Sequence, residues 1–111
     1  MFVELGLIDG RVITAEVHVE TLAGFMKMLY ENRKLQLFFE FKDFFFTRPA
    51  GPGRMEIICI NKEINIDSVS ITSVSYFKTD NAKHFEEARA VAMGLAIPTN
   101  LSTLPGGRKR Q

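Results

Sequence analysis

The side chains that most resemble a metal-binding set are Glu16, His18 and Glu20, which alternate along one predicted strand. One histidine with two carboxylates can ligate a metal ion. Alternate residues of a single strand lie about 7 Å apart, however, and enclosing one ion takes ligands from several elements. We therefore interpret these residues as a solvated polar face, and we predict neither a metal ion nor a cofactor.

Two further groups would need catalytic partners that the sequence does not supply. His84 and Glu87 lie three residues apart on a predicted helix, with Asp80 one turn earlier; this fits a general base, but we favour a stabilised helix surface. Cys59 lies in an apolar run, where a thiol is expected to be buried and inert. The sequence contains no Cys-x-x-Cys, Gly-x-Ser-x-Gly, His-Glu-x-x-His or Walker motif. We predict that the protein is not an enzyme.

The most unusual feature is a phenylalanine-rich segment. The chain has 10 Phe and no Trp, and six of the Phe lie between Phe38 and Phe46. Leu35, Leu37, Phe39 and Phe41 would share one face of a strand, while Phe38 lies on the other. Lys42-Asp43 is a predicted bend, after which Phe44, Phe45 and Phe46 begin a second strand that ends at the loop 49–53. A strand with one wet face alternates more cleanly than this.

Three explanations fit a segment that is apolar on both faces. The first is a strand covered on both sides, by the core and by a helix. The second is an interface with a protein partner or a second copy, with Phe38, Phe44, Phe45, Arg48 and Arg54 as candidate contact residues. The third is base stacking on single-stranded RNA or DNA, with Phe38, Lys42, Arg48 and Arg54 as its contacts. Stacking surfaces are interleaved with Lys and Arg, whereas Glu40 and Asp43 oppose the few basic residues here.

Composition limits the class of protein. The chain has 111 residues and is 46% hydrophobic, which suits one domain with a core and excludes a disordered chain. A single Cys excludes a disulfide scaffold and fits a cytoplasmic location. We find no signal peptide and no apolar run of about 20 residues, so we predict no transmembrane segment.

The formal net charge of +1 conceals an uneven distribution. Arg108, Lys109 and Arg110 are three of the 14 basic residues, which leaves 11 against 13 acidic residues in the rest of the chain. The body is thus mildly acidic and the C-terminal end is basic. We expect this end to be solvated, with an acidic protein, an RNA or a membrane surface as its possible electrostatic partner.

Periodicity predicts the elements that carry these residues. Phe2 to Ile8 and Arg11 to Val19 form a hairpin around a type I′ turn at Asp9-Gly10. A helix follows from Glu20 to Arg33, with an apolar stripe and a left-handed end at Asn32. Its predicted stripe is Leu22, Phe25, Met26 and Leu29.

After the Phe-rich segment, Met55 to Ile60, Ile64 to Ile66 and Ser68 to Phe77 are predicted strands, the last with a bulge or tight turn near Thr72-Ser73. Asp80 or Asn81 caps a second helix that runs to about Ala96. Its predicted seam is Phe85, Ala88, Ala92 and Leu95.

These elements predict an α+β fold. We expect a small, strongly bent antiparallel sheet or partial β-barrel, with one helix after the first hairpin and one C-terminal helix. Residues 1–98 would form a single globular domain, and residues 99–111 an extended tail with a basic end.

Two resemblances accompany this pattern. The segment Leu7-Ile8-Asp9-Gly10-Arg11-Val12-Ile13 resembles the first turn of Sm-like proteins, although a predicted helix follows here where that family continues its bent sheet. The layout from Gly10 to Val69 is similar to that of small uncharacterised bacterial β-rich domains. The shared features are Gly10-Arg11-Val12, the helix Leu22 to Asn32, the strand Phe39 to Phe46, and Ile60-Asn61-Lys62 with Ile66 and Val69. This second resemblance implies a fold and no activity.

The sequence thus favours a non-catalytic protein–protein interaction or assembly module. Such a module would associate with itself or serve as a small subunit of a larger bacterial complex. A small nucleic-acid-binding barrel is the alternative.

Overall fold

A computed structural model describes residues 1–77 and 81–95, together with the backbone of Thr103–Pro105. The chain begins with an antiparallel hairpin of strands β1 (Phe2–Leu7) and β2 (Val12–Glu16). Gly10 has φ +91°, but Asp9 keeps a negative φ, so the predicted type I′ turn is wrong. The Gly10 N–H instead donates to the Leu7 carbonyl, and the Leu7 N–H to Arg11, which is a three-residue loop with glycine in its left-handed position.

Helix α1 (Leu22–Leu35) follows the hairpin as predicted, with different ends. Thr21 caps its start, because the Thr21 hydroxyl oxygen accepts from the Gly24 N–H at 3.0 Å. Its left-handed terminal residue is Gln36 (φ 56°) and not Asn32. Phe25 and Leu29 of the predicted stripe are buried, but Met26 is exposed, and Met28 packs against the core instead.

Six more strands and one helix complete the described chain. They are β3 (Phe38–Phe41), β4 (Phe44–Pro49), β5 (Arg54–Ile60), β6 (Ile64–Asp67), β7 (Ile71–Tyr76), α2 (Ala82–Ala92) and β8 (Thr103–Pro105). A short 3-10 turn, Ser68–Ser70, joins β6 to β7. The main sheet has the order β7-β1-β2-β4-β5-β8, and β3 pairs separately with β6. Every pairing is antiparallel.

The α+β prediction is confirmed, and the main antiparallel sheet is not closed into a barrel. The irregularity predicted near Thr72-Ser73 is confirmed as well, because the β1–β7 register shifts between Gly6 and Leu7, whose partners are Ser73 and Ile71. Strand β8 lies within the segment that was expected to be an extended tail. The basic residues Arg108, Lys109 and Arg110 lie outside the described residues.

Helix α2 is shorter than predicted. It ends at Ala92, and two residues of its predicted seam, Ala92 and Leu95, are exposed. Phe85 and Ala88 alone supply the buried part of that seam. Asn81 precedes the helix without a side-chain capping bond, and the other predicted cap, Asp80, lies outside the described residues.

The main sheet is covered on both faces, which creates two apolar clusters. The first lies between the sheet, α1 and the small β3–β6 sheet, and its buried members are Val3, Leu5, Leu7, Ile13, Ala15, Val17, Phe25, Leu29, Phe39, Phe41, Ile66 and Ile71. The second lies under α2 and contains Phe2, Phe45, Ile57, Phe77, Phe85 and Ala88. Phe44 and Phe46 pack against the first cluster, whereas Phe45 between them belongs to the second. Strand β4 is therefore apolar on both faces because both faces are covered.

Candidate interaction surface

The exposed aromatic side chain of the Phe-rich segment is Phe38. Its neighbours Phe39 and Phe41 point into the first cluster and are at most 9% exposed, whereas Phe38 on the opposite face of β3 is 57% exposed. One face of the two-stranded β3–β6 sheet packs against α1 and the main sheet, and Phe39, Phe41 and Ile66 lie on that face. Phe38 therefore lies on an outer face that no described element covers.

Other exposed apolar side chains lie beside Phe38 in the chain or across the ladder. Phe38 pairs with Asp67, and the Ser68 N–H donates to the Leu37 carbonyl at 3.3 Å. Val69 thus follows directly after the residues that face Leu37 and Phe38. We call this group the Phe38 patch, and its exposed members are Leu35, Leu37, Phe38 and Val69.

Arg33 fixes the frame of the Phe38 patch. Its Nε donates to the Ser68 carbonyl at 3.2 Å, and its Nη2 donates to the Ile71 carbonyl. These bonds tie the end of α1 to the 3-10 turn that carries Val69. On the other side, the Asp67 carboxylate accepts from the Val69 N–H at 3.1 Å. The patch is therefore built on a backbone that is already ordered, which reduces the entropy lost when a partner binds.

The other candidate contact residues occupy different surroundings. Phe45 is fully buried and packs edge-on against Phe2 and Phe85, with ring centroids 5.6 and 5.3 Å apart. Phe44 is half-buried and meets Phe46 edge-on at 5.4 Å. Neither ring joins the exposed surface around Phe38.

Arg48 and Arg54 belong to the β4–β5 hairpin. Arg48 lies opposite Glu56 in the ladder, and its Nε is 2.6 Å from a Glu56 carboxylate oxygen. The Arg54 N–H donates to the Gly51 carbonyl and closes the loop, and the residue is exposed. The positive charge of Arg48 is thus already matched by an acidic neighbour.

The sequence reasoning missed a charged cluster centred on Arg89. This guanidinium lies over the rings of Phe2 and Phe45, with its carbon 5.7 and 5.3 Å from their centroids. Three carboxylates contact it at 2.7 to 3.2 Å, and they belong to Glu16, Asp43 and Glu86. The hydrogen bonding of the Arg89 guanidinium to the Asp43 carboxylate, which accepts from it, is the main cause that raises the pKa of Arg89. Only the i, i+3 spacing of Glu86 and Arg89 signals this cluster in the sequence.

The candidate catalytic and metal-binding residues do not form a site among the described residues. Glu16 pairs with Arg89, and His18 is exposed. Within residues 1–77 and 81–95, no group of three or more His, Cys, Asp or Glu side chains is arranged to hold a metal ion. On α2, one carboxylate oxygen of Glu87 is buried and lacks a hydrogen-bond partner.

The thiol of Cys59 faces the second cluster. Burial, and to a lesser extent the Asp43 carboxylate, raise its pKa from 9.0 to about 11, while Arg89 acts in the opposite direction. A thiol nucleophile needs a lowered pKa to be active near neutral pH. The thiol of Cys59 is therefore protonated near neutral pH, as is usual for a cysteine that only packs against its neighbours.

No helix in the described part of the chain is long and apolar enough to cross a membrane. Comparisons of the chain with protein-family models, curated protein sequences and solved structures gave no match.

Proposed function

We propose that this chain is a non-catalytic protein–protein interaction module and that the Phe38 patch is its contact surface. The observation that carries the proposal is the position of Phe38, an aromatic side chain more than half exposed on the outer face of an ordered two-stranded sheet. Single exposed apolar residues are ordinary, but adjacent ones in a patch mark interaction sites. Aromatic side chains are also enriched at the centres of interfaces.

The energy available from the Phe38 patch sets the kind of interface it can serve. Fully burying one large apolar side chain contributes about 1.5–3 kcal/mol, so covering the exposed half of each patch member contributes about 1 kcal/mol. Association costs at least about 4 kcal/mol in lost rigid-body freedom. The patch therefore acts as the centre of a larger interface, with polar neighbours such as Asp67 and Lys34 at its rim.

The state of the reactive side chains supports a non-catalytic function. The Cys59 thiol has a raised pKa and packs on the second cluster, and Arg89 is already bound by three carboxylates. Neither group is prepared to act on a substrate.

Nucleic acid is the weaker candidate ligand. A phosphate would have to compete with Glu56 for Arg48, and Phe38 is flanked on its outer face by Glu40 and Asp67. Acidic side chains beside a stacking aromatic repel the phosphate backbone. We therefore favour a protein as the partner.

Site-specific photocross-linking tests the proposal. A benzophenone amino acid replaces Phe38 in the full chain in living cells, and the matched control carries it at Ile8, which is 74% exposed but lies on the β1–β2 loop. We expect a cross-link to a discrete protein from position 38 and none from position 8. Equal labelling from both positions, or none from position 38, contradicts the proposal.

A binding measurement with the purified cross-linked protein completes the test. Phe38→Ala should weaken its affinity at least tenfold, because truncating an aromatic residue at the centre of an interface typically has an effect of this size. The melting temperature should stay within a few degrees of that of the original protein, because Phe38 contributes little to either cluster. An unchanged affinity contradicts the assignment of the Phe38 patch.

A further inference from the structure

Strand β7 is an edge of the main sheet. Among the described residues it pairs only with β1. The Phe77 N–H donates to the Phe2 carbonyl at 3.0 Å, which sets the phase of the ladder. In an antiparallel pair, every second residue directs its backbone N–H and C=O groups to the partner strand. Because Phe77 does so, the backbone groups of Ser75, two residues earlier, also point to β1. The N–H and C=O groups of Val74 and Tyr76 therefore point outward, away from β1.

From Ser73 to Tyr76, this edge lacks the features that keep sheet edges from pairing. Exposed edge strands are usually protected by a charged side chain, often Lys, by a proline or by a bulge. The sequence of β7, Ile71 to Tyr76, contains no charged residue and no proline, and its irregularity is confined to the end near Thr72. At the opposite edge, β8 contains Pro105. As far as residues 1–77, 81–95 and 103–105 are concerned, the regular part of β7 is thus open to a further strand.

We propose that β7 pairs in antiparallel fashion with β7 of a second copy, about a two-fold axis at Val74. Each Val74 N–H then donates to the Val74 carbonyl of the other copy, and the two main sheets become continuous. The surface differs from the Phe38 patch, so the proposal adds self-association to the proposed function without resting on that patch.

The side chains of β7 are compatible with those of an antiparallel second copy of the same strand. With the axis at Val74, Val74 lies opposite itself, Tyr76 opposite Thr72, and Ser75 opposite Ser73. A Val–Val cross-strand pair is favourable, and no charged side chain lies at any position of β7. Tyr76, 52% exposed in the single chain, gains a neighbour on the face that carries the first cluster. A charged residue at position 74 would lie opposite its own copy and repel it, and β7 carries no charged residue, so the strand can pair with itself.

The mass of the full chain in solution tests the dimer. By sedimentation velocity and native mass spectrometry at high micromolar concentration, we expect twice the single-chain mass of 12.6 kDa. Tyr76→Pro removes an outward N–H and should give the single-chain mass, with an unchanged circular dichroism spectrum. Tyr76→Phe keeps that N–H and should remain dimeric. A single-chain mass for the original protein, or a Tyr76→Pro variant that stays dimeric, overturns the proposal.

Disulfide trapping tests the position of the axis. In a Cys59→Ala background, Val74→Cys places the two thiols at Cα atoms about 5.5 Å apart, within disulfide range. Ser75→Cys places the two Cα atoms beyond the limit of about 7 Å, because the two copies of residue 75 lie on opposite sides of the axis and are offset by two positions along the ladder. We expect a disulfide-linked dimer from Val74→Cys alone. Equal trapping at both positions overturns the register. Phe38→Ala should leave the dimer intact, so a failure of this inference is distinguishable from a failure of the Phe38 patch.

Discussion

Arg89 binds Asp43 through two parallel hydrogen bonds, from Nε to Oδ2 at 2.7 Å and from Nη2 to Oδ1 at 3.1 Å. The pair joins α2 to the bend between β3 and β4. The two side chains are only 19% and 13% exposed. Bidentate Arg–carboxylate pairs are the strongest and most directional of the ordinary ion pairs. This contact therefore holds α2 on the sheet together with the packing of Phe85 and Ala88.

We predict that Arg89→Met destabilises the protein by about 2–4 kcal/mol, because it leaves the Asp43 carboxylate nearly buried without a counter-charge. Urea unfolding followed by circular dichroism measures the loss. The matched control is Glu86→Gln, which alters a contact to the same guanidinium from a side chain that is 52% exposed. Glu86→Gln should lower the free energy of unfolding by less than about 1 kcal/mol, because exposed ion pairs contribute little to stability.

A double variant separates the ion pair from the packing of the Arg89 side chain. Asp43→Asn combined with Arg89→Met should cost clearly less than the two single losses added together, since the second change removes the unpaired charge left by the first. Additive losses, or an Arg89→Met loss no larger than that of Glu86→Gln, would show that the ion pair does not hold α2 in place.

The sequence predicts where the helices and strands lie better than it predicts which of their side chains are buried or make tertiary contacts. The hairpin, both helices and the α+β class follow from periodicity, which local spacing determines. Asn32 is of a residue type that favours a left-handed helix end, but α1 continues to Leu35 with Gln36 as its left-handed cap, and Arg33 donates to the carbonyls of Ser68 and Ile71. That tertiary contact has no local signal.

The Phe-rich segment shows the same limit. Its apolar character on both faces predicts coverage on both sides, and the structure shows this for β4. The exposure of Phe38 and the burial of Phe45 depend on the chain passing from the small sheet to the main sheet at Lys42-Asp43. The same residue type thus has opposite environments seven positions apart, and the Arg89 cluster forms at that crossing from residues distant in sequence.

Gly6 and Ser73 make a second testable pair. They face each other across the β1–β7 ladder, and a Cβ at Gly6 would overlap the Ser73 hydroxyl oxygen, whereas the Ser73 Cβ would lie at an ordinary 3.5 Å. We predict that Gly6→Ala destabilises the protein by about 1 kcal/mol through overpacking. Thermal or urea unfolding measures this change.

The matched variant removes the obstructing atom. Gly6→Ala combined with Ser73→Ala should recover the stability of Ser73→Ala alone or exceed it, because alanine is favoured over glycine inside a strand by about 0.5–1 kcal/mol. A double variant that stays as unstable as Gly6→Ala would show that the backbone, and not the hydroxyl, limits the space at Gly6.

Cys59 provides the last prediction, on pH dependence. A pKa of about 11 in the folded protein, against 9.0 for an unperturbed thiol, lowers the thiolate fraction at pH 8. The fraction falls about 100-fold, and the greater intrinsic reactivity of a more basic thiolate restores about tenfold of this. Iodoacetamide should therefore modify Cys59 about tenfold more slowly in the native protein than in the same protein unfolded in urea.

The same raised pKa makes the stability of the protein depend on pH. Because the raised pKa favours the folded state only while the thiol is neutral, this contribution to stability is present below about pH 9 and is lost as the pH rises through about 11. Cys59→Ala should flatten the fall in unfolding free energy over that interval, and an alkylation rate equal in the native and unfolded protein would contradict the half-buried, neutral thiol.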